Sequence, residues 1–306
     1  MGPDSLRFAR SVIVKLSRPE FLQGTAATIA AAAVPNVTGG RTLILPFASA
    51  PYPHASRAQG HTYQGRLYDA ATHYSNSDAG IFIPDGWRPR DGAIDFIVHF
   101  YGWNHDIAAT LSTYRLREQL VTSGRNAILV VPEGPTNAPD SGFGKLELDP
   151  DGFQRFMSDV AAHLKQLQIS NTDRIGRIVL TAHSGGYGGA GGVLARGGMN
   201  DSITDVILFD AAYGYFDAFA DWARAPQHHL LSIFTGDTST GNAALMGKLQ
   251  APTPNLYVWL ADSMKLAQLQ TRAPTFVLTS AAHDELLQKY SWYSLFLQTT
   301  GLEAIS

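Results

Sequence analysis

No stretch of the chain restricts the fold as much as residues 177–192, RIVLTAHSGGYGGAGG. Ile178, Val179 and Leu180 are apolar and β-prone, which predicts a buried parallel strand. Ala182-His183-Ser184-Gly185-Gly186 follows at once, and a glycine-heavy, helix-length segment runs on to about Arg196. Strand, small-x-Ser-x-Gly and helix in direct succession make a nucleophile elbow. The turn is so tight that the residues two either side of the serine must be small, and Ala182 and Gly186 meet that condition. Ser184 is then expected to sit strained, its hydroxyl above the sheet. The amide of Gly185 would point where an oxyanion forms. The plainer reading is a glycine-rich strand-to-helix turn with an idle serine, which would need no histidine and acid downstream.

The chain of 306 residues is long enough for one large domain or two small ones, and its 45% hydrophobic content is ordinary for a globular protein. A net charge of −3 leaves no basic footprint for nucleic acid. The absence of cysteine excludes disulfides, thiolate metal sites and a cysteine nucleophile, and leaves the compartment open.

The N-terminus reads differently from the rest. Arg7, Arg10, Lys15 and Arg18 form a positive region, Ala26 to Val34 is a small apolar run too short to span a bilayer, and Ala31-Ala32-Ala33 suits a cleavage site. Ser17-Arg18-Pro19-Glu20-Phe21-Leu22 resembles the bacterial twin-arginine export signal, with Pro19 in place of the second arginine. Residues 1–34 are therefore expected to be an export signal, twin-arginine-like or Sec, that delivers the protein to the periplasm or outside. The alternative is an N-terminal arm on a cytoplasmic protein. No stable membrane insertion is expected.

From Pro35 to Arg90 the pattern is β-rich, with strands expected over Arg41 to Pro46, His61 to Tyr68 and Gly80 to Pro84. His54, His61 and His73 lack metal-ligand spacing and read as surface or turn histidines. Beyond Arg90 strands and helices alternate. Strands are expected at Ile94 to Phe100, Asn126 to Pro132, Ile203 to Phe209, His229 to Phe234 and Thr275 to Thr279. Helices are expected at Asp106 to Ser123, Asp151 to Gln168, Phe216 to Arg224, Ala243 to Leu249 and Glu285 to Leu297. Such alternation predicts an α/β fold, a mostly parallel sheet covered by helices on both faces, with antiparallel strands at its N-terminal side. No linker or repeat divides residues 35–306, which read as a single domain.

Three features together resemble the α/β-hydrolase superfamily of serine esterases and lipases over roughly Pro46 to Leu302. They are Ala182-His183-Ser184-Gly185-Gly186, the loop from His99 to Trp103, and His283 after the last strand. The resemblance implies the order serine, acid, histidine, with Ser184 as nucleophile and His283 as its base. Two aspartates end strands in between. Asp210 lies in Phe209-Asp210-Ala211-Ala212, similar to the setting some lipases use, and is preferred over Asp237, which sits in a polar loop. Tyr101-Gly102-Trp103 stands where the superfamily has its His-Gly loop, so the amides of Trp103 and Gly185 would form the oxyanion hole. Gly102 would permit a strained turn there.

Tyr101, Tyr187 and Tyr213 are expected to line the substrate site, whereas Trp222 reads as core. The Gly/Pro/Asn-rich loop Glu133 to Leu148 could line the entrance or move as a lid, its acidic residues facing substrate. The resulting expectation is a Ser-His-Asp hydrolase acting on a small-molecule or polymeric ester through an acyl-enzyme. A peptidase or amidase with the same triad is the nearest alternative, and a non-catalytic binding protein on this fold the next. No cofactor is expected. No metal is expected either, because neither H-E-x-x-H nor a converging His/carboxylate cluster is legible, and no phosphate-binding loop of the G-x-x-x-x-G-K-[ST] kind is present. Acyl specificity and oligomeric state leave no trace in the sequence.

Overall fold

A computed structural model describes residues 14–15, 37–250, 257–261, 269 and 271–306. Apart from Val14–Lys15, the expected leader over residues 1–34 lies outside the described residues. Among the described residues, twelve strands form two sheets. The large one comprises β1 (Val14–Lys15), β2 (Gly40–Pro46), β5 (Asp78–Pro84), β6 (Ile94–Phe100), β7 (Ile128–Pro132), β8 (Ile175–His183), β9 (Ile203–Phe209), β10 (His229–Phe234), β11 (Tyr257–Leu260) and β12 (Thr275–Leu278). Their spatial order is β1-β2-β5-β7-β6-β8-β9-β10-β12-β11. The β2–β5 and β5–β7 pairs are antiparallel and the other pairs parallel. The expected run His61 to Tyr68 is instead a separate hairpin, β3 (His61–Tyr63) and β4 (Arg66–Tyr68), turning at Gln64-Gly65 with both residues at positive φ. β11 was not legible as a strand in the sequence.

Strand periodicity separates two cores. Phe96, Val98 and Phe100 on β6, and Ile178, Leu180 and Ala182 on β8, point to one face. There they meet Phe153, Phe156, Met157 and Val160 of α5 (Gly152–Gln166), and Phe219 of α7 (Phe216–Ala223). Ile97, Val179, Ile207 and Ile233 point to the other face. They meet Leu111 of α2 (Ile107–Thr113), Leu120 of α3 (Leu116–Ser123) and Phe296 of α10 (Trp292–Leu297). Both faces of the sheet are therefore dry, which accounts for its unbroken apolar strands.

Two expected helices are each broken in two. Asp106 to Ser123 becomes α2 and α3, with Arg115 left-handed at φ 51° between them. The break lies beside Tyr114, whose ring packs against His183 with centroids 4.9 Å apart. Glu285 to Leu297 becomes α9 (Glu285–Gln288) and α10. Apolar periodicity continued through both breaks, so the pattern concealed them.

The loop Glu133 to Leu148 is a packed wall rather than a lid. Glu133, Ala138 and Asp140 are buried, and residues Gly144–Leu148 form α4. Its acidic groups are spoken for: Asp140 accepts two hydrogen bonds from Arg57 at 2.6 and 2.9 Å, and Glu147 accepts from the Tyr215 hydroxyl at 2.8 Å. Gly, Pro and Asn here serve tight packing, a use that composition does not distinguish from mobility. Among the described residues no helix is long and apolar enough to cross a membrane.

Candidate active site

The parallel register brings the ends of β6, β8, β9, β10 and β12 to one edge of the sheet, with His183 opposite Phe209 and Phe209 opposite Ile233. Loops leaving these ends carry Gly102, Trp103, Ser184, Asp210, Asp237 and His283, as expected for a parallel α/β sheet. Ser184 follows β8 directly, at φ 52°, and opens a short 3-10 turn that leads into α6 (Tyr187–Arg196). A left-handed serine costs on the order of 1–3 kcal/mol, offset by the packing around it. A Cβ on Gly186 would lie 2.1 Å from the Phe100 carbonyl oxygen, so the helix can leave the strand at this angle only with glycine there.

Asp210 follows β9 and His283 follows β12. His283 Nδ1 donates to Asp210 Oδ2 at 2.6 Å. The Asp210 carboxylate is 0% exposed and is further held by the Thr235 amide at 2.9 Å, the Thr235 hydroxyl at 2.8 Å and the Thr238 hydroxyl. Burial alone would raise its pKa, but these hydrogen bonds, led by that of His283, hold it below the usual carboxylate value. Burial alone would lower the pKa of His283, and the bond to Asp210 and its charge reverse this and raise it above 6.5. Asp237 is exposed and makes no hydrogen bond to the imidazole. Thr238, part of the polar loop in which Asp237 sits, is instead a donor to Asp210, as is Thr235.

The loop after β6 lies against the serine. A Cβ on Gly102 would fall 2.7 Å from the Ser184 Cβ and 3.2 Å from its Oγ. Glycine is thus required for close approach, and not for the strained turn expected of it. The Trp103 indole lies over Gly185, where a Cβ would meet its Cδ1 at 2.6 Å, and its Nε1 donates to Ser141 Oγ at 2.8 Å. Among the described residues, the amides of Trp103 and Gly185 have no hydrogen-bond partner, and neither does Ser184 Oγ. Apo catalytic hydrogen bonds are often open in this way.

Two solved structures share this arrangement of chain. One is a mutant of the feruloyl esterase module from Clostridium thermocellum complexed with sinapinate, at 11% identity and a TM-score of 0.54 over 87% of this chain and 89% of that one. The other, named FAE, has 11% identity and a TM-score of 0.51 over 85% and 88%. The chain has the α/β-hydrolase fold. No protein-family model matches the sequence, and no curated protein does.

On this α/β-hydrolase scaffold the expected substrate aromatics divide. Tyr213 is 45% exposed and its ring lies 6.5 Å from that of His283. Tyr187, half-buried, packs 5.9 Å from Tyr213 and lines a cleft of about 260 Å³ with Arg57, Ser141 and Tyr215. Tyr101 does not face the site. It is buried, because its hydroxyl turns inward to donate to Glu133 Oε1 at 3.0 Å. Trp103, expected for its amide, adds an indole 40% exposed whose edge meets Tyr63 of the hairpin at 5.1 Å. Trp222 is core, as read from the sequence.

No converging metal-ligand cluster is legible in the sequence, but among the described residues folding assembles two groupings whose ligand atoms lie within 4.8 Å: His183, His283 and Asp284, and Asp210, Asp237 and His283. Both share His283, whose Nδ1 already engages Asp210. Glu133, His183, Thr235 and Ser141 were missed as well. Each is distant in sequence from the residue it touches, and no local pattern marks it.

Proposed function

We propose that the protein is a serine hydrolase that cleaves carboxylic esters. One relationship carries this proposal: a serine at positive φ directly follows the central strand, and His283, after β12, is hydrogen-bonded to the buried Asp210 after β9. Ser184 Oγ attacks the ester carbonyl and transfers its proton to His283 Nε2. The oxyanion of the tetrahedral intermediate accepts hydrogen bonds from the amides of Trp103 and Gly185, each worth roughly 3 kcal/mol by comparison with single-donor deletions. Asp210 keeps the Nδ1–H tautomer and stabilises the imidazolium. His283 returns the proton to the leaving alcohol. Water, activated by the same imidazole, then releases the acid from the acyl-enzyme. Exposed Trp103 and Tyr213 beside the cleft support an aryl-bearing ester, small or polymeric, as the substrate class.

The test is fluorophosphonate labelling of wild type beside Ser184→Ala, followed by esters of aromatic and aliphatic acids and the matching amides. Labelling of wild type alone, with turnover of aryl esters ahead of amides, is the expected result. A folded wild type that never labels would remove the mechanism. We further propose that residues 1–34 export the enzyme. The mass of protein recovered from periplasm or medium, lacking about 34 residues, checks this.

A further inference from the structure

Glu133 is a buried carboxylate near the site that the mechanism above leaves without a task. It directly follows β7 and is 1% exposed. Its Oε1 accepts from the Tyr101 hydroxyl at 3.0 Å and the Thr136 hydroxyl at 2.8 Å, and its Oε2 accepts from the Ile107 amide at 3.2 Å. The Tyr101 hydroxyl in turn accepts from the Gly134 amide at 2.7 Å. Tyr101 and Ile107 are the two ends of the loop that carries Gly102 and Trp103. One carboxylate therefore clasps both ends of the segment lying on Ser184. The middle of the loop is held by the same wall: the Asn104 amide donates to the Ala138 carbonyl at 3.0 Å, the Asn137 amide to the His105 carbonyl at 2.8 Å, and the Trp103 indole to Ser141.

Helix capping does not account for Glu133. Asp106 already caps α2, accepting from the Ala109 amide at 2.7 Å. Burial pushes the Glu133 carboxyl up to about 7, with the Asp106 charge adding to it and the hydrogen bonds from Thr136, Ile107 and Tyr101 opposing it. A buried acid with that disadvantage costs stability, which is a common sign that function retains it.

We propose that Glu133 and Tyr101 are positioning residues, which set the height of the Trp103 amide over Ser184 by clasping both ends of its loop. This rests on the reading of that amide as an oxyanion donor. An oxyanion donor displaced by a fraction of an ångström stabilises the transition state less while leaving substrate binding alone.

The test uses the full-length protein carrying Tyr101→Phe, which keeps the ring, and separately Glu133→Gln. Active sites are first counted by fluorophosphonate titration, so that misfolded molecules do not enter the rates. Per titrated site, kcat is expected to fall about 10- to 100-fold with KM within twofold. Affinity for a trifluoromethyl ketone, which forms the tetrahedral oxyanion, should fall by the same factor as kcat/KM. If Tyr101→Phe retains wild-type kcat per site, or if ketone affinity does not follow kcat/KM, the clasp is structural only and the inference is overturned. Should Glu133→Gln fail to fold, Tyr101→Phe decides alone. A wild type that does not label at Ser184 would instead defeat the hydrolase reading itself, so the two failures are distinguishable.

Discussion

His183 lies beneath His283, with ring centroids 4.9 Å apart and His183 Nε2 3.4 Å from the His283 carbonyl oxygen. A carbonyl only accepts, so Nε2 carries the proton and Nδ1 is bare, buried and without a partner. Burial and the nearby His283 charge push the His183 pKa down to about 3. The residue before Ser184 is thus a neutral support for the histidine that would become charged in the proposed mechanism. Nitrogen-detected NMR of the imidazoles between pH 4 and 9 should show one histidine fixed as the Nε2–H tautomer and missing in His183→Gln. Titration of that residue near 6.5 would contradict the assignment.

The acid limb of kcat/KM should lie above pH 6.5. His283 acts as a base only when neutral, and its raised pKa means activity disappears as pH falls through that raised value. Asp210→Asn removes the charge and the acceptor that hold the tautomer, and should lower kcat by roughly 10⁴-fold while moving the limb to lower pH. Asp237→Asn, at an exposed position outside the hydrogen-bond set, should stay within about threefold. pH–rate profiles of both variants check this, and equal losses would reassign the acid.

Gly102→Ala places a methyl 2.7 Å from the Ser184 Cβ and 3.2 Å from the His183 carbonyl oxygen. These atoms belong to the strained turn and have little room to yield. The expected result is a loss of kcat of about 100-fold or more with the protein still folded. Labelling rate, kcat and circular dichroism on the same sample decide it.

Glu133 also predicts a pH dependence of stability. Its folded-state pKa is raised from 4.5 to about 7, so the folded form holds its proton while the unfolded chain has released one. The contribution is neutral below 4.5. It turns against folding as pH rises to 7, by on the order of 3 kcal/mol in total, and is constant above. Glu133→Gln lacks this term. The Tm of the variant minus that of wild type should therefore climb between pH 4.5 and 7 and then level off. A difference independent of pH would refute the buried, shifted carboxyl.

Much of the site was legible in the chain because its signals are local. The elbow needs small residues at fixed offsets from Ser184, and His283 follows the final strand within a few residues. The choice between Asp210 and Asp237 was not local. Both follow strand ends, and in space the depth of Asp210, with Thr235 and Thr238 turned onto it, separates them. Tyr101 was misplaced for a similar reason. An aromatic at a strand end can face the substrate or the interior, and the buried Glu133 that draws its hydroxyl inward lies 32 residues away.

By itself the sequence determined the strand–helix alternation, the two-faced burial of the sheet and the serine turn, since each follows from residue size, periodicity and backbone sterics over a few positions. Tertiary structure alone decided which carboxylate meets His283, that Gly102 rests on Ser184, and that one buried acid clasps the loop beside them. Those are contacts between strand ends brought together by sheet register, and their energies depend on burial and distance, which no single stretch of chain contains.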